Sequence, residues 1–283
     1  MTHATEPPPY FDALLERLAA GDPEATAAFG RHVHWGYWPD PGAATGTGAD
    51  YAVAAEELCR RVCDAAPVRD GMRVLDVGCG FGGTIASLNE RFQNLDMTGV
   101  NIDARQLARA AETVVPVNGN RTAWVEADAC ALPLADGQFD VVLAVECVFH
   151  FPSRATFLAE AARVLKPGGR LALSDFVPSP EGLSELRRYD AGGGTETRDS
   201  YGAVDLLCPE TEYRELARAA GFVAPQFEDI TPHTMPTYQF LKDTATAWYA
   251  ANRAKTYGRA TRRLEVSSRV GWLRYTIVGA NRA

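Results

Sequence analysis

The stretch "VLDVGCGFGGT", Val74 to Thr84, decides how this chain reads. A short apolar run enters a glycine cluster, and Ile85, Leu88 and Phe92 then recur at helical spacing, so the segment is a strand, a turn and a helix. Glycines at 78, 80, 82 and 83 let the backbone turn tightly and approach a ligand with no Cβ in the way. Gly78, Gly80 and Gly83 also spell a literal G-x-G-x-x-G, the dinucleotide fingerprint. Asp76, at the end of the strand, argues against that reading. A pyrophosphate would sit at the following helix N-terminus, where N–H groups favour anions and a neighbouring carboxylate would repel it.

Outward from this joint the pattern alternates. "MRVLDVG", "LDMTGVN", "AWVEAD", "FDVVLAVE" and "RLALSDF" are five apolar strands separated by helical segments. The helix "SRATFLAEAARVL" is expected to stop at Lys166-Pro167-Gly168-Gly169. Such alternation predicts an open α/β sheet, mostly parallel and buried on both faces. Residues 1–66 read as a helical cap or lid in two pieces, one carrying Phe11, Leu14, Leu15 and Leu18, the other spanning roughly 51–66. Residues 67–283 form the core, with cap insertions near 178–210 and 231–268. The first insertion contains the glycine-rich "YDAGGGTETRDSYG" and reads as a mobile lid or irregular connection. "APQFEDI" and the closing "GWLRYTIVGANRA" follow, the latter as a last strand.

The composition is that of an ordinary soluble domain, with 46% hydrophobic and 23% charged residues in 283. A net charge of −8 leaves no basic stripe for nucleic acid. No long apolar run and no basic-then-apolar leader is visible, so a cytoplasmic protein is expected, with no membrane partner. The six cysteines include no C-x-x-C and read as reduced thiols, with no metal. Arginine outnumbers lysine heavily and alanine is abundant, which hints at a bacterial source.

S-adenosylmethionine carries a sulfonium and an ammonium instead of a phosphate, and Asp76 would favour it. Asn101, at the end of the second strand, replaces the acid expected of a nicotinamide site but can still bond ribose hydroxyls. "VLDVGCGFGGT", "TGVNIDARQL", "VEADACALPLADGQFDVV" and "ARVLKPGGRLALSDF", in that order and spacing, resemble the class I S-adenosylmethionine-dependent methyltransferases over about Val74 to Phe176. The resemblance implies a Rossmann-like seven-stranded sheet of order 3-2-1-4-5-7-6 with the last strand antiparallel. It implies that Asp76, Gly78, Gly80 and Gly82 line the methionine moiety, that Asn101, Ile102 and Gln106 meet ribose and adenine, and that Asp128 and Ala129 read the adenine edge. The product would be S-adenosylhomocysteine.

"AVECVFHFPS" is similar to the E-x-x-x-H-x-P segment of sterol and tocopherol C-methyltransferases. Glu146, His150 and Asp175 should all emerge at the carboxyl edge of the sheet. His150 assisted by Asp175 is the expected base, with Glu146 positioning cofactor or substrate. A carboxylate with aromatic faces would equally suit a carbocation, so O- and C-methylation both stay open. In "HVHWGYW", Tyr37 and Trp38 are expected to close over the cofactor. The segment "DITPHTMPTYQFL" resembles geranyl diphosphate C-methyltransferases, which implies an acceptor pocket of His233, Met235, Tyr238 and Phe240. Arg187 and Arg188 could meet an anionic acceptor or simply face solvent. The function expected is methylation of a small-molecule acceptor in specialised metabolism. A non-methylating use of the same fold, such as a cyclisation, and a nicotinamide oxidoreductase are the alternatives. The aromatic cap makes a homodimer plausible.

Overall fold

A computed structural model of the chain describes residues 8–191 and 195–283. The first helices are α1 (Tyr10–Ala19), α2 (Pro23–Phe29) and α3 (Gly48–Ala65), one more than the sequence pattern suggests. Asp22 starts α2 by accepting from the amides of Glu24 and Ala25, and Thr47 starts α3 by accepting from that of Asp50. Alternation then begins with β1 (Arg73–Val77), α4 (Gly83–Arg91), β2 (Asp96–Asn101), α5 (Ala104–Thr113), β3 (Arg121–Glu126) and β4 (Phe139–Ala144). It continues through α6 (Arg154–Val164) and β5 (Leu165–Pro178). The remainder is α7 (Pro180–Ala191), α8 (Glu196–Tyr201), α9 (Glu210–Ala219), β6 (Phe222–Asp229), α10 (Thr231–Thr234), α11 (Pro236–Trp248), α12 (Ala251–Arg269) and β7 (Leu273–Arg282).

The strands form one sheet in the order β3-β2-β1-β4-β5-β7-β6, as expected. The first five run parallel, and β7 is antiparallel to both β5 and β6. Adjacent residues feed opposite faces. Val74 and Val141 join one apolar cluster, Leu75 and Val142 the other, which is why the central strands read as unbroken apolar runs. Three expectations need correction. β3 is the edge strand and is partly exposed along its length, so burial on both faces stops at β2. The Lys166–Gly169 segment lies inside β5, because α6 turns directly into the strand, and the β4–β5 register shifts beside it, between Phe139 and Val141. The 178–210 insertion is largely helical through α7 and α8; of its glycine run, residues 192–194 lie outside the described residues.

Phe11, Leu14 and Leu18 of α1 are buried in the same cluster as Leu58 of α3, Phe176 of β5 and Leu241 of α11. The amino-terminal helices therefore share a core with the sheet and roof its carboxyl edge.

Candidate active site

The carboxyl ends of β1, β2 and β4 open into a cavity of about 990 Å³, mouth included. Its floor is the glycine loop, with Asp76, Gly78, Gly80 and Thr84 among the lining residues. Asn101, Ile102 and Gln106 form one wall, and Ala127, Asp128 and Ala129 another. The loop is pinned by the amides of Gly78 and Cys79, which both donate to the Val100 carbonyl, at 2.8 and 3.0 Å. A Cβ on Gly78 would meet Cys147 at 2.7 Å, and the backbone there has φ +71°, so only glycine fits.

Asp76 is 1% exposed, and its Oδ2 has no hydrogen-bond partner. Burial raises its pKa to about 8, only partly offset by a hydrogen bond from Thr84. An unpartnered, desolvated carboxylate on a cavity wall asks for a cation.

A second cavity, of about 860 Å³ with its opening, lies against the first. Its walls are ring faces and aliphatic side chains, including Phe29, Trp35, Phe176 and Trp248. Tyr10, Val33, Glu146 and His150 line both cavities and mark their junction.

Glu146 follows β4 with φ +53°, a left-handed backbone rarely adopted by a non-glycine residue. Its amide donates to Ser174 Oγ at 2.9 Å. Its Oε2 accepts from the Trp35 amide at 2.7 Å and from the Tyr275 hydroxyl. Burial outweighs both and raises its pKa to about 8. His150 ends a single helical turn, Val148–His150, and its Nδ1 lies 2.9 Å from the Ala203 carbonyl. A carbonyl only accepts, so Nδ1 carries the hydrogen and Nε2 keeps its lone pair. Burial pulls the imidazole pKa down to about 4, against the Ala203 bond, so the ring is neutral at neutral pH.

Similarity to known proteins agrees with this geometry. The family model described as "Methyltransferase domain" matches residues 75–173. Over 216 residues the chain is 37% identical to 27-O-demethylrifamycin SV methyltransferase of Amycolatopsis mediterranei (strain S699), spanning 74% of this chain and 73% of that protein. Over 231 residues it is 40% identical to methyltransferase GfsG of Streptomyces halstedii, spanning 81% and 76%. The chain belongs to the class I S-adenosylmethionine-dependent methyltransferases. The fold is also that of mycolic acid cyclopropane synthase CmaA1 (TM-score 0.74, 16% identity, 97% of this chain and 99% of that one). The [4+2]-cyclase SpnF shares it as well (TM-score 0.73, 24% identity, 96% and 94%).

The cofactor of the methyltransferase is S-adenosylmethionine, and the orphaned Asp76 oxygen beside the glycine loop fits its positive charge. The dinucleotide reading of the glycine motif falls with it. Gly82 does not line the cavity; it begins α4 in the left-handed conformation, φ +79°, and a Cβ there would meet Trp124 at 2.8 Å.

Asp175 does not partner His150. It is fully buried in β5 and faces Arg154, whose Nε and Nη2 donate to its two oxygens at 2.8 and 3.1 Å, and it lines neither cavity. Arg154 also bonds Asp205, so the ion pair ties β5 to the segment after α8.

Tyr37 and Trp38 likewise line neither cavity. Tyr37 stacks on His233 with centroids 4.5 Å apart, and Trp38 Nε1 donates to Asp50 at 3.0 Å. They anchor the segment whose earlier residues, Arg31 to Trp35, reach the cavities. A hydrogen-bonded chain clasps that segment to α3: Trp35 O to His34 Nδ1 (2.9 Å), His34 Nε2 to His32 Nδ1 (3.0 Å), and His32 Nε2 to Glu56 (2.9 Å).

Of the residues expected to line an acceptor pocket, Tyr238 and Phe240 lie on α11, which lines the second cavity, but on another of its faces, whereas His233 and Met235 belong to α10 and its end, which reach neither cavity. His233 bonds the Trp38 carbonyl, Tyr238 bonds Ser268 at 2.7 Å, and Phe240 stacks on Tyr51; with Met235, they line neither cavity. The lining face of α11 is Leu241, Thr244, Ala245 and Trp248, an i, i+3, i+4, i+7 stripe. Spacing alone could have found it. Arg188 is engaged by Glu185 in the solvent, and neither it nor Arg187 lines a cavity.

Proposed function

We propose that this small-molecule methyltransferase methylates a hydroxyl oxygen, with His150 as the base. The carrying observation is the His150 tautomer: Nδ1–H is held by the Ala203 carbonyl, and Nε2 is left unprotonated at the junction of the two cavities. The rifamycin relative is named for an O-methylation, and a relative 30% identical over 232 residues, from Saccharopolyspora erythraea, is an erythromycin 3''-O-methyltransferase. Specialised metabolism is the setting this reading adopts.

Asp76 and the Gly78–Gly80 backbone would hold the methionine end of the cofactor, Asn101, Ile102 and Gln106 the ribose, and Asp128 with Ala129 the adenine edge. S-adenosylmethionine supplies, when bound, a methyl on a sulfonium that is already a good leaving group. His150 Nε2 would take the proton of the hydroxyl that attacks that methyl. Glu146 is held by Trp35 and Tyr275 and positions the junction. The aromatic roof excludes water and fixes the approach.

The test follows a tritiated methyl from S-adenosylmethionine into a small molecule of a metabolite extract, with the unmodified protein and with His150→Ala. The variant should bind cofactor within a few-fold of normal and lose about 100- to 10,000-fold in turnover. Unmodified activity should be flat near neutral pH and fall as pH drops toward about 4, where the imidazole protonates. Unchanged turnover in the variant would remove His150 from the chemistry.

A further inference from the structure

The second cavity has a charge character of its own, and this inference rests on the proposed methylation at His150, with that cavity, which opens from the junction away from the glycine loop, receiving the acceptor. Among the described residues lining it there is no lysine and no arginine. Its only ionisable groups besides tyrosines are Glu146 and His150, and both are kept neutral near pH 7 by burial. Two arginines packed on the outside of its wall residues are turned to other work. Arg17 lies over the Trp248 ring at 4.7 Å and pairs with Asp22 at 2.6 Å; Arg253 lies over Tyr249 and bonds the Pro9 carbonyl.

What polar capacity remains is hydroxyl. Thr261 donates its hydroxyl to the Tyr257 carbonyl at 2.8 Å, so the 2.6 Å contact between Tyr201 and Thr261 must have Tyr201 as donor. The Tyr257 hydroxyl in turn bonds Tyr201, so this part of the wall is a connected set of hydroxyls without charge. Burial pushes the pKa of Tyr10, Tyr201 and Tyr257 up, so these phenols remain uncharged. An anion placed here would lose its hydration with no cation to replace it. An ammonium would meet ring faces, but the one carboxyl on this wall is protonated near pH 7 and its Oε2 already accepts two hydrogen bonds, so no counter-ion stands ready for it.

We propose that the acceptor is an uncharged, mainly apolar molecule bearing hydroxyl groups, and that phosphate-bearing and cationic acceptors are excluded by the cavity itself. This separates the chain from the geranyl diphosphate enzymes that share its fold, one of which was solved with Mg²⁺ and geranyl diphosphate.

Three probes with one flexible apolar tail test it: 1-octanol, octyl phosphate and octylamine, titrated calorimetrically into protein loaded with S-adenosylhomocysteine. Octanol should bind about tenfold or more tighter than either charged probe. Thr244→Lys places an ammonium on the cavity wall and should strengthen octyl phosphate by about tenfold relative to octanol. Tyr249→Lys is the second variant should the first melt early. Equal or tighter binding of a charged probe to the unmodified protein, or binding of none of the three, overturns the proposal. So does an unchanged ratio of octyl phosphate to octanol affinity in whichever variant folds. Should this discrimination hold while His150→Ala keeps full turnover, the base assignment fails and the charge preference of the cavity stands.

Discussion

At the cofactor end the walls combine the glycine-loop backbone, an orphaned carboxylate and polar side chains such as Asn101 and Gln106 with apolar ones such as Phe81 and Val145; at the other end they are ring faces, aliphatic side chains and hydroxyls. The two cavities share Tyr10, Val33, Glu146 and His150, yet they bind by different physics. The first depends on geometry that only a few residue types allow, such as glycine at positive φ and a buried acid facing a cation. The second depends on how much apolar surface several distant helices bring together, which many side-chain combinations can supply. Changes at the first should therefore be local and severe, and changes at the second graded.

The largest expected effect lies outside both. Asp175→Ala leaves Arg154 buried with half its partners, and stability should fall by about 3–5 kcal/mol in denaturant titrations. The remaining folded protein should keep the pH profile of His150. A profile that moves instead would restore Asp175 as the partner of the base.

Next comes Asp76→Asn. Without the carboxylate the cofactor cation loses its buried partner, and affinity should fall by about 100-fold in calorimetry. The free protein should gain stability at pH 8. Asp76 and Glu146 are raised to about 8 from ordinary values near 4, so the folded chain retains protons that the unfolded chain has released. Stability of the free protein therefore falls as pH rises from about 4 to about 8, and removing Asp76 removes part of that fall. The same linkage makes cofactor binding release protons at pH 7, and affinity should rise about tenfold between pH 6.5 and 8.5. A cofactor affinity independent of pH would show that Asp76 does not meet the cation.

At the acceptor end the effects are smaller. Trp248→Ala should raise the acceptor KM about tenfold with cofactor affinity unchanged, because its ring lines the second cavity and not the first. Tyr238→Phe, on the same helix but facing Ser268, should leave KM alone and cost about 1 kcal/mol of stability. Equal effects of the two on KM would erase the distinction between the faces of α11.

The same contrast governs what could be read from the chain. Asp76, Gly78, Asn101 and Asp128 reach one cavity because each sits at or just beyond the end of a parallel strand, and strand ends are visible as periodicity breaks. The acceptor wall has no such local mark. Phe29, Phe176, Tyr201 and Leu241 come together only through packing, and the α11 residues chosen from sequence missed by one helical face. Tyr37 and Trp38 failed for the neighbouring reason: the aromatic segment does cover the site, but the residues doing so come a few positions earlier, and nothing in composition sets that register. Asp175 failed because a strand-end acid exposed to a cavity and one buried against an arginine look alike until α6 places Arg154 beside it.

The segment after α8 holds a consequence for how this molecule can diversify. Ala203 fixes the tautomer of His150 through its carbonyl, the Asp205 amide bonds the Phe149 carbonyl at 2.8 Å, and Val204 and Leu206 between and beyond them face the acceptor. Reshaping this loop to admit a new acceptor moves the carbonyl that keeps the imidazole basic on its inner nitrogen. Substitutions at these positions would therefore touch the proposed base as well as the cavity wall, whereas substitutions along the α11 stripe leave the bond between His150 and the Ala203 carbonyl untouched.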